Sequence, residues 1–175
     1  SEGQMMRRLW IFLLIAGIAI IAVSAFQYLT RPGRGDPAPA FALPSLDSKE
    51  IDIEGYRGRP VLLHFWASWC GLCQEEFPSL VRLAKDYEAQ GLVVLAISED
   101  EARSYPTVRA FTQTMNASFP ILLDGKGAVA DSYQSWAVPE TIFIDSAGTI
   151  SWRHSGPVNW DSDPARKMVS EFIQK

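Results

Sequence analysis

A chain of 175 residues has the size of one domain plus an appendage, and 47% apolar with 21% charged residues is the balance of a globular protein. Sixteen basic against 20 acidic residues leave a net charge of −4, without the basic face that nucleic-acid phosphates require. Two cysteines are too few for a disulfide-stapled miniprotein or a four-cysteine zinc site.

In chain order, Ser1-Glu2-Gly3-Gln4 precedes Met5-Met6, which reads as an appended remnant ahead of a natural start at either methionine. Leu9 to Thr30 follows as 22 residues without a charge. As a helix this run spans about 33 Å, enough for a bilayer's hydrocarbon core. Arg7 and Arg8 place residues 1–8 on the cytoplasmic side and the rest of the chain outside. The segment 9–30 is thus expected to be a single-pass anchor in the cytoplasmic membrane, with a cleavable signal peptide ending at Val23-Ser24-Ala25 as the alternative. Residues 31–40, with three prolines and two glycines, read as a tether.

Residues 36–175 carry 12 basic and 19 acidic groups, a net of −7, and contain no internal repeat. Phe41-Ala42-Leu43 reads as extended chain and Ile51–Glu54 as a short strand. Val61–Trp66 is almost continuously apolar, as a strand buried on both faces must be. Cys73, Phe77, Leu80, Ala84 and Tyr87 then recur with helical spacing, and Gly91 closes that helix. Leu92–Ile97 is a second buried strand, residues 101–116 a helix interrupted near Pro106, residues 120–123 a strand and 128–135 a short helix. Residues 141–144 and 149–152 flank Asp145-Ser146-Ala147-Gly148 as a hairpin, and Ala165–Ile173 is a last amphipathic helix. Strands alternating with helices and ending in an antiparallel hairpin specify an α/β domain with a mixed sheet over residues 41–175.

The chemistry concentrates in Trp66-Ala67-Ser68-Trp69-Cys70-Gly71-Leu72-Cys73, where a buried strand gives way to a long helix. Cys70 falls at the helix N-terminus, where free backbone N–H groups and the helix dipole stabilise a thiolate. Cys73 lies one turn inside, on the apolar face. The pair suits an attacking and a resolving sulfur, with no cofactor beyond its own disulfide and no metal, since only His64 and His154 could add imidazole ligands. Structural cysteines are the plain alternative, but so short a disulfide loop stabilises little.

These residues resemble the thioredoxin superfamily, and more closely its membrane-tethered extracytoplasmic branch, the TlpA, ResA and CcmG type of thiol-disulfide oxidoreductase. The resemblance rests on Phe65-Trp66-Ala67 before the cysteines, Glu76-Phe77-Pro78 after them, Val138-Pro139-Glu140-Thr141 before a strand, and the long segment between Ile97 and Thr141. It implies a thioredoxin-like fold with an N-terminal β extension and a central helical insertion. It implies Cys70 as nucleophile, Cys73 as resolving cysteine and Glu76 as proton shuttle. Trp69, Val138 and Pro139 become the substrate-binding edge, with Pro139 in a cis peptide that leaves the Val138 backbone open to a client strand. Pro78 is expected to kink its helix. His64 stands where thioredoxins carry a buried aspartate, and is either a candidate proton relay or a neutral core histidine. The resemblance further implies reduction of client disulfides, as in apocytochrome c during cytochrome c maturation, with electrons from a transmembrane carrier of the DsbD or CcdA type. Rival readings are a disulfide-forming oxidant, a peroxidase, or a copper-delivery protein. Gly71-Leu72 lacks the histidine common in oxidants, and Ala67 replaces the threonine of peroxidases. Trp136, Trp152 and Trp160 read as core and rim packing, with a substrate groove as the alternative, and Glu99-Asp100-Glu101 as a solvated turn and not a metal site.

Overall fold

The computed structural model describes residues 2–174 and divides the chain into two compact units, one up to Arg31 and one from Pro32. The first unit is helix α1, Glu2–Leu29. Its span Gly3–Phe26 is long and apolar enough to cross a membrane, and none of that surface is buried in protein. A helix apolar on all sides and uncovered by its own chain fits a membrane anchor.

The second unit starts with a small antiparallel pair, β1 (Ala42–Pro44) and β2 (Glu50–Asp52). A 3₁₀ turn at Ile53–Tyr56, capped by Asp52, replaces the end of the predicted strand. The main sheet contains β3 (Val61–Trp66), β4 (Val93–Ser98), β5 (Ile121–Leu123), β6 (Glu140–Ile144) and β7 (Ile150–Ser155), in the order β5-β4-β3-β6-β7. Strands β4 and β5 run parallel to their neighbours, whereas β6 and β7 are antiparallel, so the sheet is mixed as expected. Helix α2 (Gly71–Tyr87) links β3 to β4, α3 (Tyr105–Thr114) and α4 (Ala128–Tyr133) flank β5, and α5 (Asp163–Ile173) ends the chain. Pro106 lies in the first turn of α3, where its missing N–H costs nothing, after a 3₁₀ turn at Ala102–Ser104.

Alternation along β3 decides the two cores. Leu62 and Trp66 face the layer built by α2 and α5, with Phe77, Leu80, Leu83, Val169 and Phe172. Val61, Leu63 and Phe65 face the layer holding Phe41, Leu43, Val129 and Tyr133. All six β3 residues are buried, so the central strand holds the end of the sheet where the cysteines begin.

Residues 31–40, read from sequence as a tether, are docked on the sheet edge over much of their length. Gly35 donates to the Ile150 carbonyl at 2.8 Å, Ile150 donates to Asp36 at 2.9 Å, and Ala38 donates to Gly148 at 2.9 Å. Pro37 and Pro39 supply no N–H, so the donors fall on the residues between and before them, as edge pairing along one side allows. Ala38 is buried, and the segment belongs to the globular unit.

Candidate active site

Cys70 is the N-cap of α2, and its Sγ accepts the Cys73 amide at 3.2 Å. The two cysteines are disulfide-bonded with 5.2 Å between their Cα atoms. Cys73 is fully buried and Cys70 is 8% exposed, so an incoming sulfur meets Cys70 first. The position places Sγ against the unpaired amides of a helix end, which favours a thiolate after reduction. Cys73, Glu76, Phe77, Leu80, Ala84 and Tyr87 are all buried on one face of α2. Pro78 sits inside that helix, which runs unbroken from Gly71 to Tyr87.

The loop before Cys70 is fixed by a residue that looks like part of a solvated turn in sequence. Asp100 is 1% exposed, and its carboxylate accepts the Ser68 amide at 2.8 Å, the Ser68 hydroxyl at 2.6 Å and the Ser98 hydroxyl at 2.8 Å. Gln74 Nε2 donates to the Ser68 carbonyl at 2.6 Å from the other side.

Opposite Cys70 lies the loop before β6. The Val138–Pro139 peptide is cis, and Cys70 Sγ lies 3.7 Å from the Val138 carbonyl oxygen. Outside α1, the large hydrophobic side chains exposed among the described residues are Trp69, Leu72 and Trp136. Each lies within two residues of one end of that Sγ–carbonyl contact. Trp136 therefore lies at the rim of the site, whereas Trp160 is fully buried.

Glu76 is 4% exposed. Its Oε1 accepts the Trp160 indole N–H at 2.6 Å, and Oε2 has no well-formed partner. Ser79 helps seat the same loop, taking the Trp160 amide at 3.3 Å. Burial pushes the Glu76 carboxyl up to about 7, against weaker opposing pulls from Trp160 and the Val158 backbone. A groove of about 480 Å³ lined by Glu75, Glu76, Arg82 and Val158 gives it an outlet to solvent. Glu99, half-buried at the end of β4, is likewise pushed up to about 7 by burial and by the charges of Asp124 and Glu140.

His64 is fully buried in the middle of β3, paired across the sheet with Thr141, whose hydroxyl lies 3.0 Å from Nδ1. Burial pushes it down to about 3, so the imidazole is neutral at physiological pH. Of the two readings of His64, the structure gives it the surroundings of a core histidine.

Residues 34–153 match the family model described as AhpC/TSA. The chain belongs to the AhpC/TSA family. The thioredoxin-like protein YneN of Bacillus subtilis is 40% identical over 123 residues, covering 70% of this chain and 71% of YneN. The thiol-disulfide oxidoreductase ResA of Geobacillus thermodenitrificans is 32% identical over 151 residues, covering 86% of each. A solved structure from Chlorobium tepidum, described as a candidate thiol:disulfide interchange protein DsbE, superimposes with a TM-score of 0.73 at 28% identity, over 81% of this chain and 99% of that one. This member of the AhpC/TSA family is a thiol-disulfide oxidoreductase of the ResA and DsbE type, with a thioredoxin-like fold and a Cys70–Cys73 disulfide. Position 67, where a peroxidase is expected to carry threonine, is a buried alanine.

The residues that sequence reading missed are Asp100, Trp160 and Arg153. Their partners lie 32, 84 and 13 residues away respectively, and no local spacing marks such pairs.

Proposed function

We propose that this chain is a protein-disulfide reductase held on the extracytoplasmic face of a membrane by α1. Its only redox group is the Cys70–Cys73 pair, and it needs no metal or other cofactor. The observation that carries the reading is the 3.7 Å approach of Cys70 Sγ to the Val138 carbonyl beside the cis-proline. A client strand laid along Val138 brings its disulfide onto Cys70. The Cys70 thiolate attacks one client sulfur, forms a mixed disulfide and releases the other client sulfur as a thiolate. Cys73 passes its proton to Glu76 and attacks Cys70 Sγ, which releases the second client thiolate and leaves the pair oxidised. Two electrons thus reach the client, and both its sulfurs take protons from solvent. A carboxyl held near 7 changes charge in the range where this transfer is needed. Trp69, Leu72 and Trp136 support an extended client with apolar residues near its cysteines, which suits an unfolded apocytochrome c. Turnover needs a dithiol donor at the membrane, a role that fits a carrier of the DsbD or CcdA type.

Gly71 and Leu72 offer no cation to hold the Cys70 thiolate, which favours the reductive direction. The test is the reduction potential of the Cys70–Cys73 pair against glutathione and dithiothreitol buffers. A value below about −200 mV supports a reductant, whereas a value near about −120 mV makes the protein a disulfide donor.

A further inference from the structure

The loop that faces Cys70 is bracketed by one side chain. Arg153, on β7, is almost entirely buried and sends its guanidinium to three different segments. Nε and Nη2 donate to the two carboxylate oxygens of Glu140 at 2.7 and 3.0 Å. Nη2 also donates to the Gln134 carbonyl at 3.1 Å, and Nη1 to the Pro32 carbonyl at 2.7 Å. Glu140 is fully buried and takes a further hydrogen bond from the Ser155 hydroxyl at 3.0 Å. Gln134 ends α4 in the left-handed region, with φ 49°, and Glu140 opens β6 immediately after the cis-proline. The residues between these two anchors include Trp136, Val138 and Pro139, the side of the site that faces Cys70.

We propose that Arg153 is a positioning residue for client binding, a clasp that holds both ends of the 134–140 loop and so sets the Val138 backbone at its distance from Cys70. A planar guanidinium with donors on three sides can bridge a carboxylate and two carbonyls at once, and an ammonium cannot. The fourth hydrogen bond fixes Pro32, where the chain enters the globular unit, to the same point. Arg153 touches neither sulfur, so its effect falls on the binding of a peptide and leaves the sulfur chemistry of Cys70 intact.

This inference rests on the reading that a client strand binds along Val138, and the experiment separates the two. The full chain is compared with Arg153→Lys and with the double variant Arg153→Met/Glu140→Met, which removes both members of the Arg153–Glu140 pair together. Each, in the reduced form, is reacted with two probes. One is a twelve-residue peptide containing an intramolecular Cys-x-x-Cys disulfide, and the other is oxidised 2-mercaptoethanol, which has no backbone to bind. The expected result is a KM for the peptide raised about tenfold or more, with kcat, the mercaptoethanol rate and the reduction potential unchanged. Arg153→Lys keeps the charge and falls between the full chain and the double variant. An unchanged peptide KM in either variant overturns the clasp, and so does an equal loss with both probes. If the full chain itself shows no preference for the peptide, the client-strand reading fails first, and that outcome is distinct from a clasp whose removal changes nothing.

Discussion

Two buried carboxylates flank the redox pair, and their surroundings differ in one respect. Glu76 lies behind it on α2, and Glu140 lies across from it at the start of β6. Both are nearly inaccessible, at 4% and 0% exposure. Glu140 meets a guanidinium on both oxygens and a serine hydroxyl besides. Glu76 has one neutral indole donor, with its second oxygen left without a well-formed bond. A charged partner ties a carboxylate to one place, whereas a neutral donor leaves desolvation in command and lifts the carboxyl to about 7. The region across from the cysteines is therefore built for geometry, and the region behind them for moving a proton.

Removing the charge partner on the rigid side has the largest effect. Glu140→Ala leaves the buried Arg153 guanidinium without its carboxylate, with an expected loss of about 3–5 kcal/mol in urea unfolding. The double variant Arg153→Met/Glu140→Met recovers most of that loss. Equal destabilisation in both would mean that packing, and not charge pairing, holds this region.

On the titrating side the effect depends on pH. A raised carboxyl pKa means that the folded chain keeps a proton that the unfolded chain releases. The stability owed to protonated Glu76 is thus complete below the ordinary glutamate pKa of 4.5 and is lost as pH rises towards about 7. By pH 8 the accumulated penalty is roughly 3 kcal/mol. Glu76→Gln removes it, so this variant gains stability over the parent at pH 8 and little at pH 4. Unfolding curves at the two pH values check this, and parallel slopes for variant and parent refute it. Glu99, with a shift of the same sign, leaves a residual slope in the variant. The same substitution slows thiol exchange and removes its inflection near neutrality.

A smaller change tunes Glu76 without deleting it. Trp160→Phe removes the one side-chain donor that favours the charged form, at a cost of about 1–2 kcal/mol. The inflection in the rate of exchange then moves to higher pH, and an unmoved inflection would separate Glu76 from the proton step. Least of all is expected from Arg82→Ala. Arg82 lines the groove beside Glu76, but its pair with Asp161 is exposed. The melting temperature and the pH profile should both stay within error.

The same contrast explains how much of the site was legible beforehand. The Cys70–Cys73 pair, its strand-to-helix setting and the buried face of α2 are local patterns, set by spacings of three and four residues. The cis-proline was readable from Val138-Pro139 ahead of an apolar strand, but only through resemblance. Glu76 stood out by its place after Cys73, yet its pKa is raised by burial that only the packed fold supplies, with the one opposing side-chain donor, Trp160, 84 residues further along. Asp100 looked like a solvated turn, because nothing in Glu99-Asp100-Glu101 reveals that Ser68 and Ser98 will surround the middle carboxylate. Residues 33–40 looked unpackable by composition, and the free backbone edge beside Gly148 and Ile150 docks them.

What the sequence determined by itself is the set of local patterns: a continuous apolar helix at the start, apolar strands buried on both faces, helices with one apolar face, and two cysteines one helical turn apart. These follow from side-chain chemistry repeated at short range, and short range is where the chain has no freedom to rearrange. Tertiary structure alone decided which charged groups meet. The Arg153 guanidinium reaches Pro32, Gln134 and Glu140 only once β6 and β7 pair and the first residues of the unit fold across them. The rigidity around Glu140 comes from such a meeting and the titration of Glu76 from burial without one, because in a dry interior a carboxylate is held charged only by a partner that replaces its lost water.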